Sequence, residues 1–233
     1  MQEFMSLMFE VGPGVLIPRQ ETELLVETVI RFCSGSDKAS RRRCICRRKP
    51  DFREKPRKRQ GHISILDMGT GSGCIAVSLA RYIPGCRVTA VDIMPAALEA
   101  ARKNAQANGV ADRVRFIKSN LFESVPEEKF DVIVSNPPYV RTEEISRLQR
   151  EIREYEPISA LDGGADGLFF YREIIKSSKA YLKPGGMLAF ETGYDQAADV
   201  ASMLSGSFKD TRIYKDLAGI DRVVTSILSP AAP

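Results

Sequence analysis

The chain has 233 residues, 43% of them hydrophobic and 27% charged, close to the globular average, which excludes bulk disorder and at roughly 150 residues per domain predicts about 1.5 domains. No run approaches the roughly 18 apolar residues of a membrane span, and Met1 to Phe4 form no basic leader, while Glu3 and Glu10 add acid. Five cysteines and no Asn-x-Ser/Thr sequon point to a reducing, cytoplasmic setting rather than a disulfide scaffold.

In chain order, Met5–Val11 and Val15–Ile17 around Gly12-Pro13-Gly14 predict a hairpin. Glu21 to Phe32 places Leu24, Leu25, Thr28, Val29 and Phe32 at helical spacing, with Glu21 and Glu23 in the first turn. Together these make a lead-in unit over 1–32. Residues 33–62 break every period, and 41–59 carry eleven Lys and Arg against Asp51 and Glu54. They predict a basic, flexible inserted loop, with the remainder of the chain net acidic. The chain's +4 net charge therefore does not mark a nucleic-acid-binding fold; any direct nucleic-acid contact is expected through 41–59 alone, and not as the main role.

The core is predicted over 63–233. Ile63–Asp67, Arg87–Asp92, Arg113–Lys118, Phe130–Ser135 and Gly186–Glu191 are short strands rich in Ile, Val and Leu. Cys74–Tyr82, Pro95–Asn108 and Leu168–Leu182 read as helices, with Pro95 at a first helical position and Gly109 just past an end. Asp210–Lys215 and Asp221–Leu228 form a final antiparallel pair. Strands separated by roughly 20 residues or more need crossovers, so the sheet is parallel and α/β, doubly wound. Ligands of such sheets bind beyond the strand carboxyl ends, here after Asp67, Asp92, Lys118, Ser135 and Glu191.

Three of those ends carry chemistry. Asp67-Met68-Gly69-Thr70-Gly71-Ser72-Gly73 spaces its glycines G-x-G-x-G, which lets backbone approach a ligand but disfavours the dinucleotide G-x-G-x-x-G cradle. Asp92 ends the second strand where an acid takes ribose hydroxyls, and also stands where it can cap the helix after Met94. Asn136-Pro137-Pro138-Tyr139 follows the apolar Val132-Ile133-Val134. Asn136 offers a side-chain acceptor, Pro137 a backbone carbonyl, Pro138 no competing N–H, and Tyr139 a planar face. Two converging acceptors under a ring suit a planar –NH2 donor.

These motifs resemble class I S-adenosylmethionine-dependent methyltransferases that act on exocyclic amino or amide nitrogens. The segments 15–23 (VLIPRQETE), 160–168 (ALDGGADGL) and 215–222 (KDLAGIDR) narrow the resemblance to the release-factor glutamine methyltransferases (the HemK/PrmC family), over nearly the whole chain except 33–62. The resemblance implies a Rossmann-like, mostly parallel seven-stranded sheet with an antiparallel C-terminal hairpin. It implies methylation of the side-chain amide of the glutamine in the Gly-Gly-Gln loop of peptide chain release factors, with S-adenosylmethionine as cofactor. By position, Gly69, Thr70, Gly71, Ser72 and Gly73 face its methionine part, Asp92 its ribose, and Asn120 and Leu121 its adenine. Asn136 touches both cofactor and glutamine, and Pro137, Pro138 and Tyr139 complete the catalytic and substrate clamp. The sequence departs from the family at Asn120 (usually Asp), Gln20 (usually Pro) and Ile220 (usually Arg), and it starts at the hairpin, where family members carry a helical domain first.

Other residues are expected to be structural. Cys33, Cys44, Cys46 and His62 fit no standard zinc spacing, so no metal is expected; Cys74 and Cys86 read as small buried hydrophobes. The rival functions are an adenine-N(6) methyltransferase sharing the Asn-Pro-Pro-Tyr clamp, a ribosomal-protein glutamine methyltransferase, and a nonenzymatic relic.

Overall fold

The structure, a computed structural model, describes residues 1–12, 14–35 and 62–230. The expected basic insertion, with Cys44 and Cys46, falls outside them. Its expected start at residue 33 moves: helix α1 (Thr22–Ser34) continues through Cys33 and ends on Gly35, in the left-handed conformation, with the Gly35 N–H on the Arg31 and Phe32 carbonyls.

The N-terminal hairpin differs from expectation. Strands β1 (Gln2–Phe4) and β2 (Leu7–Phe9) pair Gln2 with Phe9 and Phe4 with Leu7. The chain turns at Met5 and Ser6, both at positive φ (51° and 59°), as a two-residue hairpin turn demands. Phe4 and Phe9 bury edge to face on one side of this ribbon, which fixes its register; Val15, Leu16 and their neighbours are non-strand backbone along the cleft described below.

The remaining strands β3 (Ser64–Met68), β4 (Arg87–Asp92), β5 (Val114–Lys118), β6 (Phe130–Ser135), β7 (Leu182–Glu191), β8 (Phe208–Lys215) and β9 (Asp221–Leu228) form one sheet in the order β5-β4-β3-β6-β7-β9-β8. The first five are parallel and the last pair is antiparallel, with β9 against β7. Helices α2 (Cys74–Tyr82), α3 (Pro95–Ala107), α4 (Arg150–Tyr155), α5 (Phe169–Tyr181) and α6 (Ala197–Met203) complete the fold. Strand alternation divides the core in two. Ile65, Val132, Val134, Met187 and Ala189 face α1, α2 and the hairpin, whereas Leu66, Ile133, Leu188 and Phe190 face α5 and α6. Strand β7 starts four residues before the expected Gly186, because Leu182 already pairs with Phe130. Pro184, Gly185 and Gly186 take up the register shift before Met187 pairs with Val132.

The chain runs from β3 outward to β5, then returns to β6 on the other side of β3. Strand order reverses there, and the carboxyl ends of β3, β4 and β6 open onto one crevice.

Candidate active site

That crevice is an open cleft of ≈ 1040 Å³, counted with the solvent at its mouth. Its floor is the loop between β3 and α2. Gly69 and Gly71 sit at φ of 75° and 55°, and a Cβ on either meets no atom within 4 Å, so both open onto free space. Gly69, Thr70, Gly71 and Ser72 line the cleft, whereas Gly73 does not. A Cβ on Gly73 lies 2.9 Å from the Ala101 Cβ: this glycine is needed where α2 packs on α3.

Beneath the loop lies Asp67, fully buried. It accepts from the Thr70 hydroxyl (2.6 Å) and the Ala76 N–H (3.2 Å), while its Oδ1 has no partner. Burial pushes its carboxyl up to about 7 against those two bonds. Asp92 takes the Gly71 N–H on one oxygen and the Met94 N–H on the other, both at 2.9 Å. It therefore holds the glycine loop and opens α3 at once; burial raises its pKa, opposed by these N–H groups. Each carboxylate oxygen still has acceptor capacity beyond one N–H.

Across the cleft, Ser119, Asn120 and Leu121 form the wall after β5. The Asn120 amide donates to Glu123 at 2.8 Å, and Leu121 is held at a φ of 48°, a strained conformation for a branched residue at a ligand wall. After β6, Asn136, Pro137 and Pro138 line the cleft. The Asn136 Nδ2 donates to the Thr22 hydroxyl at 3.3 Å. Tyr139 stands off the wall, packed against the α5–α6 core, its hydroxyl pushed up to about 12 by burial.

What fixes the Asn-Pro-Pro-Tyr backbone escaped the sequence reading. Gln196, 2% exposed, donates from Nε2 to the Tyr139 carbonyl (2.9 Å) and accepts the Gly193 N–H on Oε1 (3.1 Å). Gly163 and Gly167 press on the same turn: a Cβ on Gly163 falls 2.7 Å from the Tyr139 Cα, and one on Gly167 falls 2.4 Å from the Tyr139 carbonyl oxygen. The Ala160–Leu168 motif is thus the template of the clamp, and Asp162 shapes it by accepting the Gly164 N–H and the Thr142 hydroxyl. In the Lys215–Arg222 motif, Asp216 gathers the Ala218 and Ile220 N–H groups and the Arg222 guanidinium, organising the β8–β9 turn.

The cleft's remaining wall joins sequence-distant parts. Val15, Leu16, Pro18 and Arg19 approach from one side and Pro157, Ser159 and Ala160 from the other, tied by Arg19 to the buried Glu156 at 2.5 Å. Asn104 secures the near side, bonded to both the N–H and the carbonyl of Glu10 and also to the Ser72 carbonyl. Among the described residues no group of three or more His, Cys, Asp or Glu is arranged to hold a metal, and no helix is long and apolar enough to cross a membrane.

Comparison with known proteins agrees with this architecture. Residues 54–154 match the family described as Methyltransferase small domain. A release factor glutamine methyltransferase of Geobacter sulfurreducens is 43% identical over 224 residues, covering 96% of this chain and 69% of the relative. One from Clostridium acetobutylicum is 40% identical over 97% of this chain and 72% of its own length. Among solved structures, a ribosomal protein L11 methylase from Lactobacillus delbrueckii subsp. bulgaricus superposes with a TM-score of 0.60 at 20% identity, over 94% of this chain and 83% of that one; it shares the class I methyltransferase fold.

Proposed function

This chain belongs to the release factor glutamine methyltransferase family, and from that premise we propose that it transfers a methyl group from S-adenosylmethionine to the side-chain amide nitrogen of the glutamine in the Gly-Gly-Gln loop of peptide chain release factors. The observation that carries this reading is the juxtaposition in one cleft of the open glycine loop, Asp92 and the Asn136-Pro137-Pro138 wall. The residues present fit the cofactor: Gly69 and Gly71 leave room where a Cβ would stand, and Asp92 keeps acceptor capacity for ribose hydroxyls. Gly69 to Ser72 would hold the methionine part, and Asn120 with Leu121 the adenine. When bound, the cofactor supplies a methyl group activated by a sulfonium leaving group.

The protein's task is then set by the amide. Its nitrogen lone pair is delocalised into the carbonyl, so the nucleophile is weak and alignment matters most. Holding it in line contributes up to about 7–11 kcal/mol in favourable systems. With the Asn136 NH2 end on Thr22, its carbonyl end accepts one substrate N–H while the Pro137 carbonyl accepts the other. Both acceptors strengthen as positive charge develops on nitrogen. Tyr139 acts from behind, through the backbone that Gln196 holds. The lead-in unit 1–32 and the core 63–233 make one site in this reading, since Arg19 and Thr22 share the cleft with Asn136.

The deciding experiment is radiolabelled methyl transfer to a release factor, a short Gly-Gly-Gln peptide and an adenine-containing oligonucleotide. Label on factor and peptide but not on oligonucleotide is expected. The reverse pattern would establish the adenine-N(6) reading instead.

A further inference from the structure

Glu191 closes β7 and has no part in the chemistry above. It is 2% exposed, and its Oε2 has no hydrogen-bond partner. The parallel register that pairs Ser135 with Phe190 sets the next residues, Asn136 and Glu191, side by side at the carboxyl ends of adjacent strands. The Glu191 carboxyl faces two donors, the Thr22 hydroxyl and the Asn136 amide, both of which favour its ionised form, and these two are bonded to each other at 3.3 Å. Burying a carboxylate costs several kcal/mol unless it is well paired. The nearby cation, Arg222, commits its guanidinium to Asp216 at 3.1 Å. A position needing only volume would hold a leucine.

An amide is a poor sentinel by itself, because its oxygen and NH2 ends have nearly the same shape and exchange by rotation about one bond. Flipped, Asn136 would point a donor at a substrate group that is itself a donor. We propose that Glu191 is a positioning residue that holds the NH2 end of Asn136, together with Thr22, and so fixes the carbonyl end as the acceptor for the methyl-accepting nitrogen. This rests on the reading of Asn136 as the substrate-amide acceptor. An ionised carboxylate only accepts and enforces one orientation; a protonated one also donates and tolerates the flipped amide.

The lock is therefore sensitive to pH. Burial raises the Glu191 pKa to about 7, opposed by the Thr22 hydrogen bond, by Arg222 and by the Asn136 hydrogen bond, and assisted by Glu21. Cys74, Tyr139 and Tyr171 also face it, their own pKa values raised by burial, so they stay neutral across this range. Below pH about 7 the lock loosens, and kcat is expected to decline from its high-pH plateau to the lower level of Glu191→Gln, which likewise carries no charge.

Two readouts test this on the full chain. In 15N spectra, the Asn136 side-chain NH2 pair, identified by its loss in Asn136→Ala, should titrate near neutrality in the wild type and not in Glu191→Gln. In turnover on a Gly-Gly-Gln peptide, Glu191→Leu should lose about 10²-fold in kcat, the scale of a misplaced reacting group, with little change in KM. The near-isosteric Glu191→Gln, which still offers a carbonyl acceptor, should recover most of that loss with a flattened acid limb. Asp67, also raised to about 7, leaves any limb of its own in Glu191→Gln and does not move the Asn136 resonance. An active enzyme whose Asn136 resonance titrates identically in wild type and Glu191→Gln overturns the inference alone. A wild type that methylates neither peptide nor factor, yet shows the Glu191-dependent titration, overturns the substrate reading and leaves the lock standing.

Discussion

Asp92 shows how one side chain serves fold and site together. Its two oxygens bind the N–H groups of Gly71 and Met94, so the acid expected to take ribose hydroxyls also braces the loop expected to take the methionine part. Asp92→Ala should weaken S-adenosylmethionine binding by about 1–3 kcal/mol, the scale of a lost buried hydrogen-bonding group. Calorimetry with unchanged affinity would remove Asp92 from the cofactor site. Asn136 is the sharper probe of chemistry. If its carbonyl orients the amide nitrogen, Asn136→Ala should cost about 3–4 kcal/mol of barrier, two to three decades in kcat. Cofactor affinity and the melting transition should change far less. A variant retaining wild-type kcat would place amide recognition elsewhere on the cleft wall. Both residues stood out in the sequence because each is a polar residue ending an apolar strand, where the topology requires a site. Gln196 carries no such mark: it lies five residues past β7 and reaches the clamp by spanning back 57 positions to the Tyr139 carbonyl.

At the scale of elements, the parallel strands and α1, α2, α3 and α5 were legible because their apolar periods are strong and their ends carry punctuation such as Pro95 and Gly109. The hairpin turn was not. Gly12-Pro13-Gly14 has turn composition, but the turn falls at Met5-Ser6, where Phe4 and Phe9 must share one buried face and positive φ is imposed on ordinary residues. Tertiary pairing overrode local preference. Helix α6 was unread because only Ala197 and Val200 of its seven residues bury against the core, too few to show a period. The glycine loop divides similarly. Composition treats its three glycines alike, yet Gly73 faces Ala101 and Gly69 and Gly71 face open space. Gly69→Ala should cost about 1–2 kcal/mol of stability, from its left-handed backbone alone. Gly73→Ala carries the same backbone cost at a φ of 81° and adds an overpacking cost of about 1–3 kcal/mol where α2 meets α3. Chemical denaturation of the two variants should therefore rank Gly73→Ala as the less stable. Equal losses would mean that α3 yields freely at Ala101.

Over the whole molecule, the sheet separates two apolar cores, and polar burial concentrates along their shared edge at the strand carboxyl ends. Asp67 and Glu191 are both buried there, and burial raises each to about 7. A carboxyl with a folded pKa above its unfolded value contributes stability that is complete below the unfolded pKa, near 4, and lost as pH rises through 7. Each group gives a slope of up to about 1.4 kcal/mol per pH unit across that window. Carboxyls with lowered pKa act in the opposite sense and in a different window. Asp166 is held down by Arg172, and in Asp131 the Lys183 ammonium at 2.7 Å and the Ser64 N–H outweigh the effect of burial; their contributions vanish only as pH falls below about 4. Between pH 5 and 7.5 the buried pair therefore sets the trend, and stability should decline on going up. Asp67→Asn isolates one member, because the amide keeps an acceptor for Thr70 while carrying no charge to desolvate. Urea denaturation at pH 5 and pH 7.5 should show Asp67→Asn gaining on the wild type by about 1–3 kcal/mol between the two conditions. A stability difference that stays constant across that range would mean that Asp67 is ionised throughout, its charge balanced within the loop that Thr70 and Ala76 close around it.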